Sequence, residues 1–385
     1  MTDPAEPARD ESERLAAVRL ALTPGVGPLI ARGLLERFGS AAAVFRSHPS
    51  EWREVAKVGP KVVASLSDAG TIAAAERELR RCGESGVSVL TESDADYPDP
   101  IRQIPDPPPM LQMRGRITAA DRIAVGIVGS RTCTLYGRQT AERLARGLAR
   151  AGVTVISGLA RGIDAAAHRG ALDAGGRTLA VVAGGLARLY PPEHLELARE
   201  IVAAGAVLTE SPLDREPTRG LFPQRNRLIS GLSCGVILVE ATQKSGALHT
   251  ARHAKEQDRD VFAVPGPIDQ PTSEGTNNLL RDGAILVRGV DDILEALGPL
   301  PEAVTTTTHD GAEQTTLGPR ELTLSDQERL VLQAVPVRPT HTDDVVAALA
   351  ETGLGTPQVL STLMVLEVRR FVQRQPGGHV VRVPG

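Results

Sequence analysis

The chain has 385 residues, 41% apolar and 23% charged, an ordinary globular composition with room for two or three domains of roughly 100–200 residues each. Its net charge of −4 excludes a surface that grips duplex DNA everywhere, so any nucleic-acid site has to be a local basic groove. No apolar run is long enough to span a membrane, and the polar, acidic start MTDPAEPARDESER is no signal peptide, so a soluble, cytoplasmic protein without a membrane partner is expected. Cys82, Cys133 and Cys234 are odd in number and widely spaced; they form no metal pattern and suggest a reducing compartment. The only lysines are Lys57, Lys61, Lys244 and Lys255. The bias to arginine reflects either genome composition or a need for bidentate phosphate contact and base stacking.

In chain order, residues 1–13 read as a disordered tail. Residues 14–96 read as a small helical domain of the SAM or helix-hairpin-helix kind. Its glycine turns, Pro24-Gly25-Val26-Gly27 and Val58-Gly59-Pro60, sit between apolar helical stretches. Such turns either offer N–H groups to a phosphate or merely pack a helical cap. The proline-dense stretch 97–115 cannot be helix and reads as an extended strap that opens the next domain, residues 97–299.

Strands are expected at Ile123–Val128, Thr154–Ser157, Thr178–Ala183, Ala206–Thr209, Val236–Glu240, Val261–Val264 and Ala284–Val287. Short apolar runs of this kind suit strands buried on both faces. Helical patterns lie between them, including Arg138–Ala151, Ala165–Ala174, Leu195–Ala203 and Ala247–Lys255. The alternation implies an α/β fold with a doubly wound, mostly parallel sheet. Ligands of such sheets bind at the carboxyl ends of the strands, where the order switches. Residues 300–321 are a Thr-rich linker. Residues 322–385 read as a winged helix: capping signals at Ser325, Thr342 and Thr356-Pro357 open three helices, and a hairpin turns at Pro376-Gly377-Gly378.

Four elements carry candidate chemistry. Gly129, Ser130 and Arg131 follow a buried strand and suit a phosphate, or form a tight structural turn. The spacing G-x-G-x-x-G is missing, as is any P-loop. Gly158, Arg161 and Gly162 lie at the end of the next strand. Asp164 and His168 follow four apart on one helix face, as an acid/base pair or, more commonly, as a cap. Phe222, Arg225, Asn226 and Arg227 set an aromatic beside two arginines. They either stack a base next to held phosphates, or bury the Phe and solvate the arginines. Lys244, Ser245 and Gly246 follow Glu240 and open a helix that can receive an anion. Glu240 itself is a general acid or a structural hydrogen-bond acceptor.

Together and in this order, IVGSR (127–131), SGLARGIDAAAH (157–168), GLARLYPPEH (185–194), FPQRNRLISGLS (222–233), EATQKSGALHTARHA (240–254) and FAVPG (262–266) resemble the DNA-processing protein A family (DprA, also called Smf). The resemblance implies a Rossmann-like domain that forms homodimers and binds single-stranded DNA in a positive pocket. It implies protection of that strand and loading of the recombinase RecA onto it during natural transformation, with single-strand-binding protein as a further candidate partner. It implies that Gly129, Ser130, Arg131, Arg161, Phe222, Arg225, Asn226 and Arg227 line the pocket, with no cofactor, no metal and no catalysis. Two departures stand out. Pro and Glu occupy positions around Tyr190–His194 where members often carry Lys or Asn. The third helix of the winged domain has no basic residue before Arg369 and Arg370, which favours a protein-contact or structural role over duplex reading.

The alternative is an enzyme of the nucleotide phosphoribohydrolase kind on the same fold, with Glu240 or Asp164 as acid/base. Its P-G-G-x-G-T loop survives here only as the fragments Pro265-Gly266-Pro267 and Gly275-Thr276. A transcription regulator acting through the winged helix is a third reading.

Overall fold

The structure, a computed structural model, describes residues 6–298, 326–336, 340–349, 352, 354–368, 371–375 and 378–382. They fall into two compact units, residues 1–149 with 153–293 and residues 150–152 with 294–385.

The first unit is built on nine strands: β1 Ser88–Thr91, β2 Met110–Gly115, β3 Ala124–Val128, β4 Thr154–Ser157, β5 Thr178–Val181, β6 Ala206–Thr209, β7 Gly235–Leu238, β8 Asp260–Ala263 and β9 Ile285–Leu286. Their order is β1-β2-β6-β5-β4-β3-β7-β8-β9. From β6 to β9 every pairing is parallel, and β2 runs antiparallel to both β1 and β6. The fold is therefore the expected Rossmann-like, mostly parallel α/β sheet. Strands β3 to β7 are buried along their whole length, because helices cover both faces and leave no polar side. The chain steps from β3 through β4 and β5 to β6, then returns to place β7 on the other side of β3. That reversal opens a crevice at the carboxyl ends of β3, β4 and β7.

The strap differs from its sequence reading in two ways. Asp99–Arg102 forms one helical turn with Pro100 in its first turn, where a missing N–H costs nothing. Its last stretch, β2, is a full sheet member. Pro109 ends the proline run, and from Met110 onward each residue has an N–H to give to a ladder. Tyr97 is buried and donates its hydroxyl to the Pro108 carbonyl at 2.7 Å, closing the strap on itself. Strand β1, four residues long and exposed at its start, carried no pattern in the sequence.

Ahead of the sheet lie helices Glu6–Leu22, Pro28–Phe38, Ala41–Arg46, Pro49–Trp52, Pro60–Ser67 and Gly70–Glu84. The first begins inside the segment read as a disordered tail. Glu13 secures it there: its carboxylate accepts from the Ala41 and Ala42 amides at 2.6 and 2.9 Å. Gly27 and Gly59 each precede a proline that opens a helix. Residues 1–5 lie outside the described residues.

The second unit contains helices Asp326–Gln333, Thr342–Ala348 and Thr356–Val368, with β10 Thr340–His341, β11 Val372–Gln375 and β12 His379–Arg382 in the order β10-β12-β11. Leu332, Val345, Leu363 and Val380 meet in its core. This is the expected winged helix. The outer face of its third helix exposes Leu360, Met364 and Val365. Ser325, the linker 300–321, Arg369, Arg370 and Pro376-Gly377 lie outside the described residues.

Candidate nucleic-acid interface

Four segments meet at the switch point, three loops and the helix Leu221–Gly231, and in the first two a glycine with no room for a side chain sets the turn. After β3, Gly129 passes so close to the next element that a Cβ would lie 2.7 Å from Ile163 Cγ1 and 2.9 Å from the Glu240 carbonyl oxygen. Ser130 is buried; its amide donates to the Glu240 carbonyl at 2.7 Å, and its Oγ accepts from the Thr132 amide at 3.2 Å. The backbone therefore turns outward at Arg131, whose side chain is exposed.

After β4, Asp164 organises the second loop. Its Oδ2 accepts from the Gly158 and Ala160 amides at 3.2 and 3.3 Å. Burial pushes its carboxyl above the ordinary range while the Arg225 charge pulls it back down. Gly162 ends this loop with φ +76°, and a Cβ there would lie 2.8 Å from the Arg131 carbonyl oxygen. The first two loops are thus locked together through glycines.

Phe222, Arg225, Asn226 and Arg227 lie on helix Leu221–Gly231, and the helix disperses them. Phe222 is half-buried at the mouth, with the Arg131 guanidinium carbon 4.6 Å from its ring centroid. Arg225 runs inward beneath Gly158, where Nη1 donates to the Gly158 carbonyl at 2.7 Å and to the Val181 carbonyl. Burial lowers its pKa to about 10, so it stays charged at neutral pH and sets a fixed positive charge under the loop. Asn226 donates from Nδ2 to the Gly246 carbonyl at 3.1 Å, tying the helix to the third loop. Arg227 does not reach the cleft. It is buried on the far side, with Nε 3.1 Å from Asp106 Oδ2 and Nη2 2.5 Å from Glu210 Oε2.

In the third loop, Ser245 and Gly246 line the cleft at the start of helix Ala247–Glu256. Lys244 is exposed and lies outside the lining. The finished cleft measures about 470 Å³ and is lined by Gly129, Ser130, Arg131, Phe222, Arg225, Asn226, Ser245 and Gly246 among the expected residues. Gly158 and Arg161 line a smaller pocket beside it, which shares Arg131 and Phe222. Gly162, Arg227 and Lys244 line neither.

Sequence reasoning missed Tyr190, Arg219, His249 and Thr250, which line one or other of these spaces. Tyr190 meets Phe222 edge to face at 6.2 Å; the scarcity of aromatics was the one signal that could have found it. Thr250 Oγ1 is buried on the cleft wall without a hydrogen-bond partner, an orphan that a polar ligand or a water would satisfy.

The groups considered for acid/base chemistry are otherwise engaged. Glu240 Oε2 accepts from the Thr134 amide at 2.9 Å and Oε1 from the Thr134 hydroxyl at 2.5 Å, so it secures the start of helix Leu135–Arg150. His168 is fully buried, and burial lowers its pKa to about 3. Asp164 holds two loop amides as described. Glu240 and Asp164 thus set the loops in place, and His168 ties its helix to Thr178 of β5 at 2.7 Å.

Fold and site together define a Rossmann-like α/β protein with a polar, arginine-rimmed cleft at the switch point and a winged helix attached. The chain belongs to the family described as DNA recombination-mediator protein A, whose model matches residues 88–298; a DprA winged helix domain matches residues 315–378. It is 34% identical to protein Smf of Synechocystis, covering 92% of this chain and 94% of that one. It is 41% identical to DNA processing protein DprA of Bacillus subtilis, covering 57% and 75%. Among solved structures, DprA from Streptococcus pneumoniae superposes with a TM-score of 0.64 at 30% identity, covering 74% of this chain and 97% of that one. DprA from Helicobacter pylori, described for its single-stranded DNA binding mode, gives 0.50 at 32%, covering 55% and 95%.

Proposed function

We propose that the protein binds single-stranded DNA in this cleft without sequence preference, shelters it, and hands it to the recombinase RecA during recombination and natural transformation. In this reading it works as a cytoplasmic homodimer and performs no chemistry on the strand. The observation that carries the reading is the Arg131–Phe222 stack at the mouth of the cleft. An aromatic face accepts any unpaired base, and its guanidinium neighbour serves the adjoining phosphate. The buried Arg225 charge and the amino end of helix Ala247–Glu256 favour an anion in the same place. Family membership and the H. pylori relative agree with it. So does the winged helix, whose third helix exposes apolar rather than basic side chains among residues 356–368 and so is poorly suited to reading a duplex groove.

The test is fluorescence anisotropy of a labelled dT oligonucleotide with unlabelled duplex as competitor. Single-strand binding should resist duplex and weaken with salt at a slope of about −0.7 per neutralised phosphate. Arg131→Ala should weaken it roughly 10- to 100-fold, the range for losing a charged hydrogen bond. Duplex that competes equally, or a variant that binds as well as wild type, would refute the reading; free adenine released from AMP would replace it with the hydrolase. Hand-over is read separately, as RecA assembly on a strand covered with single-strand-binding protein.

A further inference from the structure

Arg161 stands at the rim of the second pocket already engaged. Its Nε lies 2.5 Å from Glu193 Oε1, and its Nη1 donates to the Tyr190 hydroxyl at 3.2 Å. The guanidinium carbon is 5.5 Å from the Tyr190 ring centroid. Tyr190 in turn meets Phe222 edge-on, and Phe222 carries Arg131. Side chains from separate loops thus form one continuous row: Glu193, Arg161, Tyr190, Phe222, Arg131. Behind the row, the pocket backed by Gly158, Val182 and Gly184 has about 20 Å³ of free space, enough for roughly one water and far too little for a nucleobase. No base enters while the row stands.

We propose that Glu193 is a latch that mimics a phosphate: it occupies Arg161 in the free protein, a phosphate of the incoming strand displaces it, and the release of Tyr190 opens the pocket behind to a nucleobase. This inference rests on the single-strand reading above. A guanidinium fork accepts carboxylate and phosphate in the same geometry, so the exchange needs no rearrangement of Arg161 beyond a swing of its head. The side chains of Arg161 and Glu193 are each about half exposed, at 49% and 48%, which leaves the pair screened and weak enough to be exchanged. The latch therefore sets a threshold: it costs affinity for every anion, and a strand recovers the loss by placing phosphate and base together.

The experiment is a salt series of dT oligonucleotide binding to the full chain and to Glu193→Gln. Freed of its carboxylate, Arg161 should bind the strand about two- to fivefold more tightly, the weight of an exposed ion pair. The slope of log K against log salt should steepen by about 0.7, one single-strand phosphate. Glu196→Gln serves as control. It removes an equal charge three residues away, from a side chain exposed and paired with Arg199, and should change neither quantity as much. In an Arg161→Ala background, Glu193→Gln should have no effect. Equal shifts for Glu193→Gln and Glu196→Gln, or a shift that survives without Arg161, would overturn the latch. A strand carrying 2-aminopurine should be quenched by wild type and less by Tyr190→Ala; equal quenching would overturn the base pocket. If wild type does not bind single strands at all, the functional reading itself fails, and the latch with it.

Discussion

Phe222, Arg225, Asn226 and Arg227 look alike in sequence, a basic run beside a rare aromatic, and their fates differ because they share a helix. At about 100° per residue, Asn226 lies one turn beyond Phe222 on the same face, whereas Arg227 is rotated about 140° from Phe222. It therefore meets Asp106 of the strap and Glu210 after β6. Removing one partner of a buried ion pair leaves the other charge unpaired, at about 3–5 kcal/mol. Arg227→Ala should thus lower stability in urea by that much, whereas Arg131→Ala, on an exposed side chain, should leave stability unchanged and lose binding. His168 makes a second prediction. The Thr178 hydroxyl donates to the Val155 carbonyl at 2.7 Å, so it accepts from His168 Nδ1 at 2.7 Å, and Nε2 is the bare nitrogen. With the folded pKa lowered to about 3 against 6.5 unfolded, the unfolded chain takes up a proton that the folded chain refuses. Stability from this group is complete above pH 6.5 and falls as pH drops, by about 1.4 kcal/mol per unit. Acid unfolding of His168→Phe, compared with wild type, should lack that component.

Among the elements, the loops at the switch point depend on glycines whose reasons lie across the sheet. Gly162 has φ +76° and no room for a methyl beside the Ser130 and Arg131 carbonyls. Gly162→Ala should therefore push the first loop away from the second and separate Arg131 from Phe222. Single-strand affinity should fall about as far as in Arg131→Ala, together with a loss of ~1–3 kcal/mol in stability from backbone strain, measurable by urea unfolding. Gly246 has no atom within 4 Å of an added Cβ and a negative φ, so Gly246→Ala should be neutral in both measurements. Glycine as a residue type marked both positions as candidates; only the neighbours separate the obligatory one from the tolerant one.

For the first unit as a whole, the helices ahead of the sheet are joined to it by Glu78 of helix Gly70–Glu84. Its Oε1 accepts from Gln112 Nε2 on β2 at 2.5 Å and from the Leu213 amide at 2.6 Å, and all three meet out of contact with water. Glu78→Ala should orphan a buried side-chain amide and a buried backbone N–H, each worth about 1–3 kcal/mol. The variant should unfold at lower urea, with hydrogen exchange first accelerated in β2 and in the helix that carried Glu78. Single-strand binding of the protein that remains folded should be unaffected, because the cleft lies on the other side of β6, beyond β5.

The parallel sheet, its switch point and the four segments beside it were legible in the sequence. Strands buried on both faces must be short apolar runs, and the loops that leave them must carry the small and polar residues a phosphate or a tight turn needs. The strap and β1 were not, because prolines mask the start of β2 and a four-residue edge strand has too few positions to show a period. Which arginine faces the cleft, where Tyr190 comes to rest, and what engages Glu240, Asp164 and Arg161 were decided by the tertiary structure alone. Those outcomes depend on partners distant in the chain, such as Gly158 for Arg225, Asp106 for Arg227 and Thr134 for Glu240. Contacts of that range leave no local pattern in the amino-acid order; the packing of the sheet creates them.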